Sequence, residues 1–357
     1  MVTAKTQYNL KNAEEYFEEH LAVGDYYDEG QRVAGEWIGL GAERLQLSGK
    51  VRAEDFLRLC ENQHPATGET LTQRLNTTRT EDGENAANRR IFYDFTFSPA
   101  KSVSIAAFVG EDKRILEAHE RAVKLALREF EGFAATRIRT SGAQSDRLTG
   151  NFAAALFTQD TSRALDPHLH THCIVFNATF DPVEDRWKAL QNYELLRARK
   201  FAENAYYHEL ARELLSFGYR IRNRARGDFQ IEGVSDELCE RFSKRHAEID
   251  AALAKLLEEK PEIPGGDVMA TRRLIATAER ARKQRDLSRD ELLELWESQL
   301  TWDERQAISR LRNQSAQSPS RQLSRARCPE RKRIARRNRH AGSSAGPARS
   351  DKRAETR

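Results

Sequence analysis

The stretch DPHLHTHCIVFN, residues 166–177, constrains the fold more than any other part of the chain. Side chains alternate between faces along a β-strand, so His168, His170 and His172 share one face while Leu169, Cys173 and Val175 share the other. Ile174 and Phe176 continue the histidine face. A strand that is apolar on both faces belongs in the middle of a sheet covered on both sides. The pattern therefore predicts a central strand with its histidines in a pocket. Residues two apart rise about 6.7 Å along a strand, so the imidazoles of His170 and His172 can converge on one ion at about 2.1 Å from each nitrogen. Cys173 points away. The same spacing also suits two satisfied structural histidines with no ion, so the metal reading needs support from elsewhere.

The neighbouring segments predict what surrounds this strand. RIFYDFTFS (90–98) and GNFAAALFTQD (150–160) read as strands, the second an antiparallel neighbour of the histidine strand through the intervening connection. Helical periodicity marks 8–20, 53–61, 112–131 (stripe Ile115, Ala118, Ala122, Leu125, Phe130) and 193–217, the last stopping at Gly218. Ser98-Pro99 is expected to cap and open a helix that stops at Gly110. YRIR and GDFQIEGV read as a hairpin, Ser235 caps a further helix, and charged helices follow to about residue 300. Separated strands among long helices imply an α+β fold with a mostly antiparallel sheet.

Charge divides the chain. Residues 305–357 hold 16 basic residues against Glu330, Asp351 and Glu355, a net +13; the whole chain is +4, which leaves −9 for residues 1–304. The last segment lacks core residues after Leu311 and is expected to be a disordered basic tail. Nucleic acid bound by residues 1–304 would need a local basic track. Four scattered cysteines argue against a disulfide or thiolate–zinc framework. No apolar run reaches the roughly 18 residues of a membrane span, and no signal core opens the chain, so a cytoplasmic address without membrane insertion is expected.

Several side chains could carry chemistry beside the histidines. A phenol deprotonated by a base or a metal can attack phosphate, which makes Tyr16, Tyr26 and Tyr27 candidates, though aromatic packing explains most tyrosines. Asp94 sits mid-strand between Tyr93 and Phe95, where a carboxylate is costly unless paired. It could orient a metal-bound histidine or take a phenol proton, or it could simply be satisfied by backbone donors or Lys101. Arg163 and Lys101 are candidate DNA-binding cations, Arg163 being able to hold a phosphate bidentately. Arg139, the 221–229 hairpin and the run ending at Lys283 are further basic candidates.

Taken in order, Tyr16, the Tyr26-Tyr27 pair, GEWIGLGAERLQLSGKV, DFTFSPAKSVS and TSRALDPHLHTHCIVFNATF resemble the MobF-class conjugative relaxases, the TrwC/TraI-like group, from about Tyr8 to about Leu300. The resemblance implies a palm with an antiparallel sheet, of the histidine-pair single-strand endonuclease superfamily (about 1–235), and a helical fingers region (about 236–304). It implies site- and strand-specific nicking of single-stranded and hairpin DNA at a plasmid transfer origin, a 5′-phosphotyrosyl intermediate, and religation. The roles it implies are Tyr16 as first nucleophile, Tyr26 as the second with Tyr27 beside it, Asp94 as the supporting acid, and His170 and His172 as two of three ligands to a divalent ion (Mg or Mn, with Zn possible). Relaxosome accessory proteins and a type IV secretion coupling protein are its implied partners.

The sequence departs from that pattern twice. Gln159 stands where the family places its third histidine; its amide oxygen favours harder ions than zinc, and His168 is the alternative third ligand. The chain also has no G-x-x-x-x-G-K-[ST] phosphate loop, where these relaxases usually continue into a helicase, and the arginine-rich tail reads as a remnant of one. A degenerate, non-catalytic single-stranded DNA-binding protein derived from a relaxase is the alternative function.

Overall fold

The computed structural model describes residues 1–8, 10–17, 35–73, 78–81, 84–87, 90–140, 143–162, 164–225, 227–259, 268, 271, 275 and 287–317. Tyr26, Tyr27, Arg163, Lys283 and the tail beyond Gln317 lie outside the described residues. Those described belong to one compact unit, Met1–Pro319. In chain order its elements are β1 (Val2–Gln7), α1 (Leu10–Tyr16), β2 (Glu36–Ile38), α2 (Leu40–Arg44), α3 (Ala53–Cys60), β3 (Thr78–Glu81), β4 (Glu84–Ala87), β5 (Phe92–Phe97), α4 (Lys101–Phe108) and α5 (Lys113–Glu131). There follow β6 (Ala135–Thr140), β7 (Ala143–Leu148), β8 (Ala154–Thr161), β9 (Pro167–Phe176), β10 (Thr179–Asp181), β11 (Arg186–Lys188), β12 (Leu190–Gln191) and α6 (Tyr193–Ser216). The hairpin β13 (Ile221–Asn223) and β14 (Phe229–Ile231) leads into α7 (Asp236–Arg241), α8 (Lys244–Glu259) and two closing helices, Arg289–Ser298 and Trp302–Gln317.

The main sheet is antiparallel throughout, in the order β1-β5-β9-β8-β2, so the histidine strand is central as its two apolar faces require. Each face has its own core. Leu169, Cys173 and Val175 pack with Phe95, Phe97, Phe108 and Phe130 beneath α4, α5 and α6. Ile174 and Phe176 pack on the other side with Phe56, Phe92, Phe157 and Trp37. Phe56 of α3 anchors that second core: it stacks on Phe17 at 4.3 Å and meets Phe176 edge-on at 5.1 Å. Burying such a ring contributes roughly 1.5–3 kcal/mol.

The α+β class and antiparallel sheet are as expected, with three local corrections. The helix after β5 starts at Lys101 with Ala100 as its N-cap and no side-chain cap, not at Ser98-Pro99. Ser98 N–H instead donates to Met1 O at 3.0 Å, so pairing with the chain start holds Ser98 extended. Leu125 is exposed, while Val123, Ala126 and Leu127 take the buried stripe of α5. The 304/305 boundary falls inside the last helix, because Ile308 is buried and Leu311 packs against the first core. Asp112 and Ser235 cap α5 and α7 through their side chains. Strands β1, β2, β3, β4, β6, β7, β11 and β12 are not among the strands marked from the sequence. Among the described residues, no helix is long and apolar enough to cross a membrane.

Candidate active site

Cross-strand register assembles the site on the second face of the sheet. Thr96 lies directly opposite His172, and Gln159 directly opposite His170. Asp94, two residues before Thr96, shares its face. Helix α1 then lays Tyr16 over this patch, held by the buried Ala13 and Phe17 on either side.

The result is a four-residue hydrogen-bonded cluster. Tyr16 Oη donates to Asp94 Oδ2 at 2.6 Å and lies 3.3 Å from His172 Nδ1. His172 Nδ1 meets Asp94 Oδ2 at 2.9 Å and Oδ1 at 3.1 Å, and Thr96 Oγ1 donates to Asp94 Oδ1 at 3.1 Å. Asp94 is buried. Burial pushes its carboxyl up, but His172, Tyr16 and Thr96 together outweigh that and hold it below the ordinary value. It is therefore a carboxylate at neutral pH, and Lys101 is not its partner. Lys101 Nζ donates instead to Pro167 O at 3.0 Å, with burial lowering its pKa to about 8.

The same hydrogen bonds set the imidazole tautomers. The carboxylate draws the His172 proton to Nδ1, and the His168 carbonyl does the same for His170, whose Nδ1 lies 2.8 Å from that oxygen. In its neutral form each ring would then carry its lone pair on Nε2, as metal-binding imidazoles held by an outer carboxylate or carbonyl do. The His170 and His172 ring centres are 5.1 Å apart. His168 stacks on His170 at 4.6 Å, and burial followed by the His170 charge pushes its pKa well down. Gln159 is buried opposite His170. Among the described residues, no three His, Cys, Asp or Glu side chains converge as a metal cage. The donor set here is two imidazoles with an amide or a third imidazole beside them, and its chemistry fits a divalent cation.

Tyr16, Gln159, His168, His170 and His172 form one wall of a cleft of about 1270 Å³. Lys101 lines it too, with Arg222, Arg224 and Arg245 from the β13–β14 hairpin and α8 set among Asp166, Asp228, Asp236 and Glu240. A second cleft of about 1120 Å³ combines Arg90, Arg137, Arg139, Arg186 and Lys188 with Tyr8, Trp187 and Tyr193. Cations among aromatic rings suit a nucleic-acid backbone and its bases. Of this cluster only Arg139 stands out in the sequence; the others come from four separate segments.

Two more residues escape the sequence pattern. Lys5 lies opposite Asp94 on β1 and places its ammonium 5.5 Å from the Tyr16 ring centre, a cation–π distance. The alternation in VTAKTQ could have marked this strand. Thr96 follows from Asp94 by the two-residue period alone.

The chain matches the TrwC relaxase family model over residues 10–302. It is 37% identical over 223 residues to the multifunctional conjugation protein TraI of Escherichia coli K12, covering 61% of this chain and 12% of that protein. A second Escherichia coli TraI is 36% identical over 251 residues, covering 66% and 13%. The chain thus spans only about an eighth of the length of these relatives. Among solved structures it is similar to the conjugative relaxase TrwC in complex with oriT DNA in copper-bound form, with a TM-score of 0.68 at 31% identity, covering 84% of this chain and 97% of that one. TrwC with a 27-mer DNA comprising the recognition hairpin and the cleavage site gives 0.66 at 30% identity, covering 84% and 96%. With its family match running from α1 to the last helix, the chain belongs to the TrwC relaxase family.

Proposed function

We propose that this protein is a conjugative relaxase that cleaves one strand of transfer-origin DNA through Tyr16 and later reseals it. The observation that carries this reading is the 2.6 Å hydrogen bond from the Tyr16 phenol to Asp94, beside the His172 imidazole. As the phenol oxygen attacks phosphorus, its proton passes to Asp94 Oδ2. A bond forms between Tyr16 Oη and phosphorus, and the bond from phosphorus to the 3′ oxygen breaks. That oxygen leaves as an alkoxide that takes a proton from solvent to become a 3′-hydroxyl, and the 5′-phosphate stays on the tyrosine. The ester keeps the energy of the original linkage, so the reverse attack by a 3′-hydroxyl religates the strand without a nucleotide cofactor.

His170 and His172 would hold a divalent cation through Nε2, with Gln159 or His168 as third donor. When bound, such a cation withdraws charge from the non-bridging phosphate oxygens. Asp94 keeps the His172 ring in the tautomer this requires. Mg or Mn suits a site with an amide donor better than a soft metal does, whereas the copper form belongs to TrwC. Arg222, Arg224 and Arg245 lead the scissile strand into the cleft, which Lys101 also lines. The second cleft, with its guanidinium groups and rings, takes the adjoining DNA. Tyr26 and Tyr27 are the candidates for a second transfer step, and accessory and secretion-coupling proteins are the expected partners.

The test is direct. Purified protein with Mg²⁺ or Mn²⁺ and a labelled single strand from its own plasmid's transfer origin should give a denaturation-resistant protein–DNA band. Absence of that band with either metal sinks the proposal.

A further inference from the structure

We infer that Thr96 is a positioning residue for the strand-transfer reaction, fixing the plane of the Asp94 carboxylate so that one oxygen serves both the phenol and the imidazole. The inference rests on the function proposed above. Asp94 receives three side-chain donors, and they are divided between its oxygens. Oδ2 takes the Tyr16 phenol at 2.6 Å and the closer contact of His172 Nδ1 at 2.9 Å. Oδ1 takes the Thr96 hydroxyl at 3.1 Å and the longer His172 contact, also 3.1 Å. A carboxylate rotates easily about its last torsion, which is broad and two-fold. Without Thr96, Oδ1 keeps only the longer His172 contact, and rotation carries Oδ2 away from the phenol at less cost. The Thr96 hydroxyl closes the other side and pins the plane.

Thr96 can do this because the backbone leaves it no other place. It stands directly opposite His172 on β9 and opposite Thr3 on β1, inside an antiparallel pair on each side. Its β-branched side chain has few rotamers there. The hydroxyl also lies 3.2 Å from His172 Nδ1. Its single proton goes to Asp94 Oδ1, and its lone pair faces the imidazole N–H as a secondary acceptor. One hydroxyl thereby orients the group that accepts the phenol proton and the ring that presents Nε2 to the cleft.

Thr96→Val keeps the shape and the β-branch and removes only the hydroxyl; Thr96→Ser keeps the hydroxyl and removes a methyl. Single-turnover cleavage at saturating oligonucleotide and saturating Mn²⁺ is compared for both with wild type, alongside oligonucleotide affinity by fluorescence anisotropy. Removing an outer-shell partner of a ligand typically costs about 10–100-fold in activity. Thr96→Val should lose at least about ten-fold in rate with unchanged affinity, and Thr96→Ser should recover most of it. A Val variant as fast as wild type, or a Ser variant as slow as the Val one, overturns the inference. A readout independent of cleavage separates this from the parent reading: the His172 Nδ1 proton, followed by NMR, should exchange faster with solvent in Thr96→Val than in wild type or Thr96→Ser. Unchanged exchange counts against Thr96, while a wild type that never forms the adduct counts against the relaxase reading.

Discussion

Tyr16 Oη and Asp94 Oδ2 lie 2.6 Å apart although 78 residues separate them in the chain. The contact joins the end of α1 to the middle of β5, and the proposed nucleophile depends on it. Tyr16→Phe should abolish the covalent band, a loss of at least about 10³-fold, since no other group replaces the attacking oxygen. Thermal unfolding should shift little, because the ring stays in place. A band that persists in Tyr16→Phe and vanishes in Tyr26→Phe would reverse the roles of the two tyrosines.

The metal site gives a second expectation. Chelator should remove the covalent band, and Mn²⁺ or Mg²⁺ should restore it. Gln159→His, opposite His170 in register, should tighten metal binding measured by calorimetry by about ten-fold or more, because imidazole is a stronger donor than an amide oxygen. Unchanged affinity would assign the third position to His168.

Glu131, the last residue of α5, makes stability depend on pH near neutrality. One carboxylate oxygen accepts from Leu40 N at 2.8 Å and Phe152 N at 2.9 Å, tying the start of α2 to the approach to β8. Burial nevertheless raises its pKa to about 7. A folded-state pKa above the unfolded 4.5 means that the fold prefers the protonated acid. Its contribution is complete below pH 4.5 and is lost as pH rises through 7, on the order of 3 kcal/mol in all. Glu131→Gln should flatten the fall in denaturant midpoint between pH 5 and 8. An unaltered slope would remove Glu131 as its source.

His119 acts in the opposite direction. It is fully buried, 2.8 Å from both Tyr206 Oη and Thr171 Oγ1, beneath the histidine strand. Burial first, and then the His170 charge, lowers its pKa from 6.5 to about 3. Below pH 6.5 the unfolded chain takes up a proton that the fold refuses. Stability should therefore decline from pH 6.5 toward pH 3, by a total on the order of 5 kcal/mol. His119→Gln should lessen that decline in urea melts at pH 4 relative to pH 7; an identical decline would count against it.

The second basic cleft predicts a salt signature. Replacing Arg137 and Arg186 with Ala should weaken binding of hairpin-containing DNA and lower the slope of log affinity against log salt by about 1 for each phosphate that is no longer neutralised. Covalent capture of a short oligonucleotide that fills only the first cleft should be unchanged. An unaltered slope would place the hairpin elsewhere.

The sequence by itself determined the central strand, its two-faced burial and the pairing of its histidines, because a two-residue period and an apolar run are local properties. It also marked Asp94 as a costly mid-strand carboxylate and, through resemblance, placed Tyr16 beside it. Only the tertiary structure decided which oxygen of Asp94 meets which donor, that Thr96 and Lys5 flank the phenol, and that arginines from three segments share a cleft. It also decided that Lys101 turns to Pro167 and that the last helix runs on to Gln317. These outcomes depend on strand register and on helix placement over a sheet. Both are set by long-range packing of two cores, such as Phe56 against Phe176, and no local pattern along the chain encodes them.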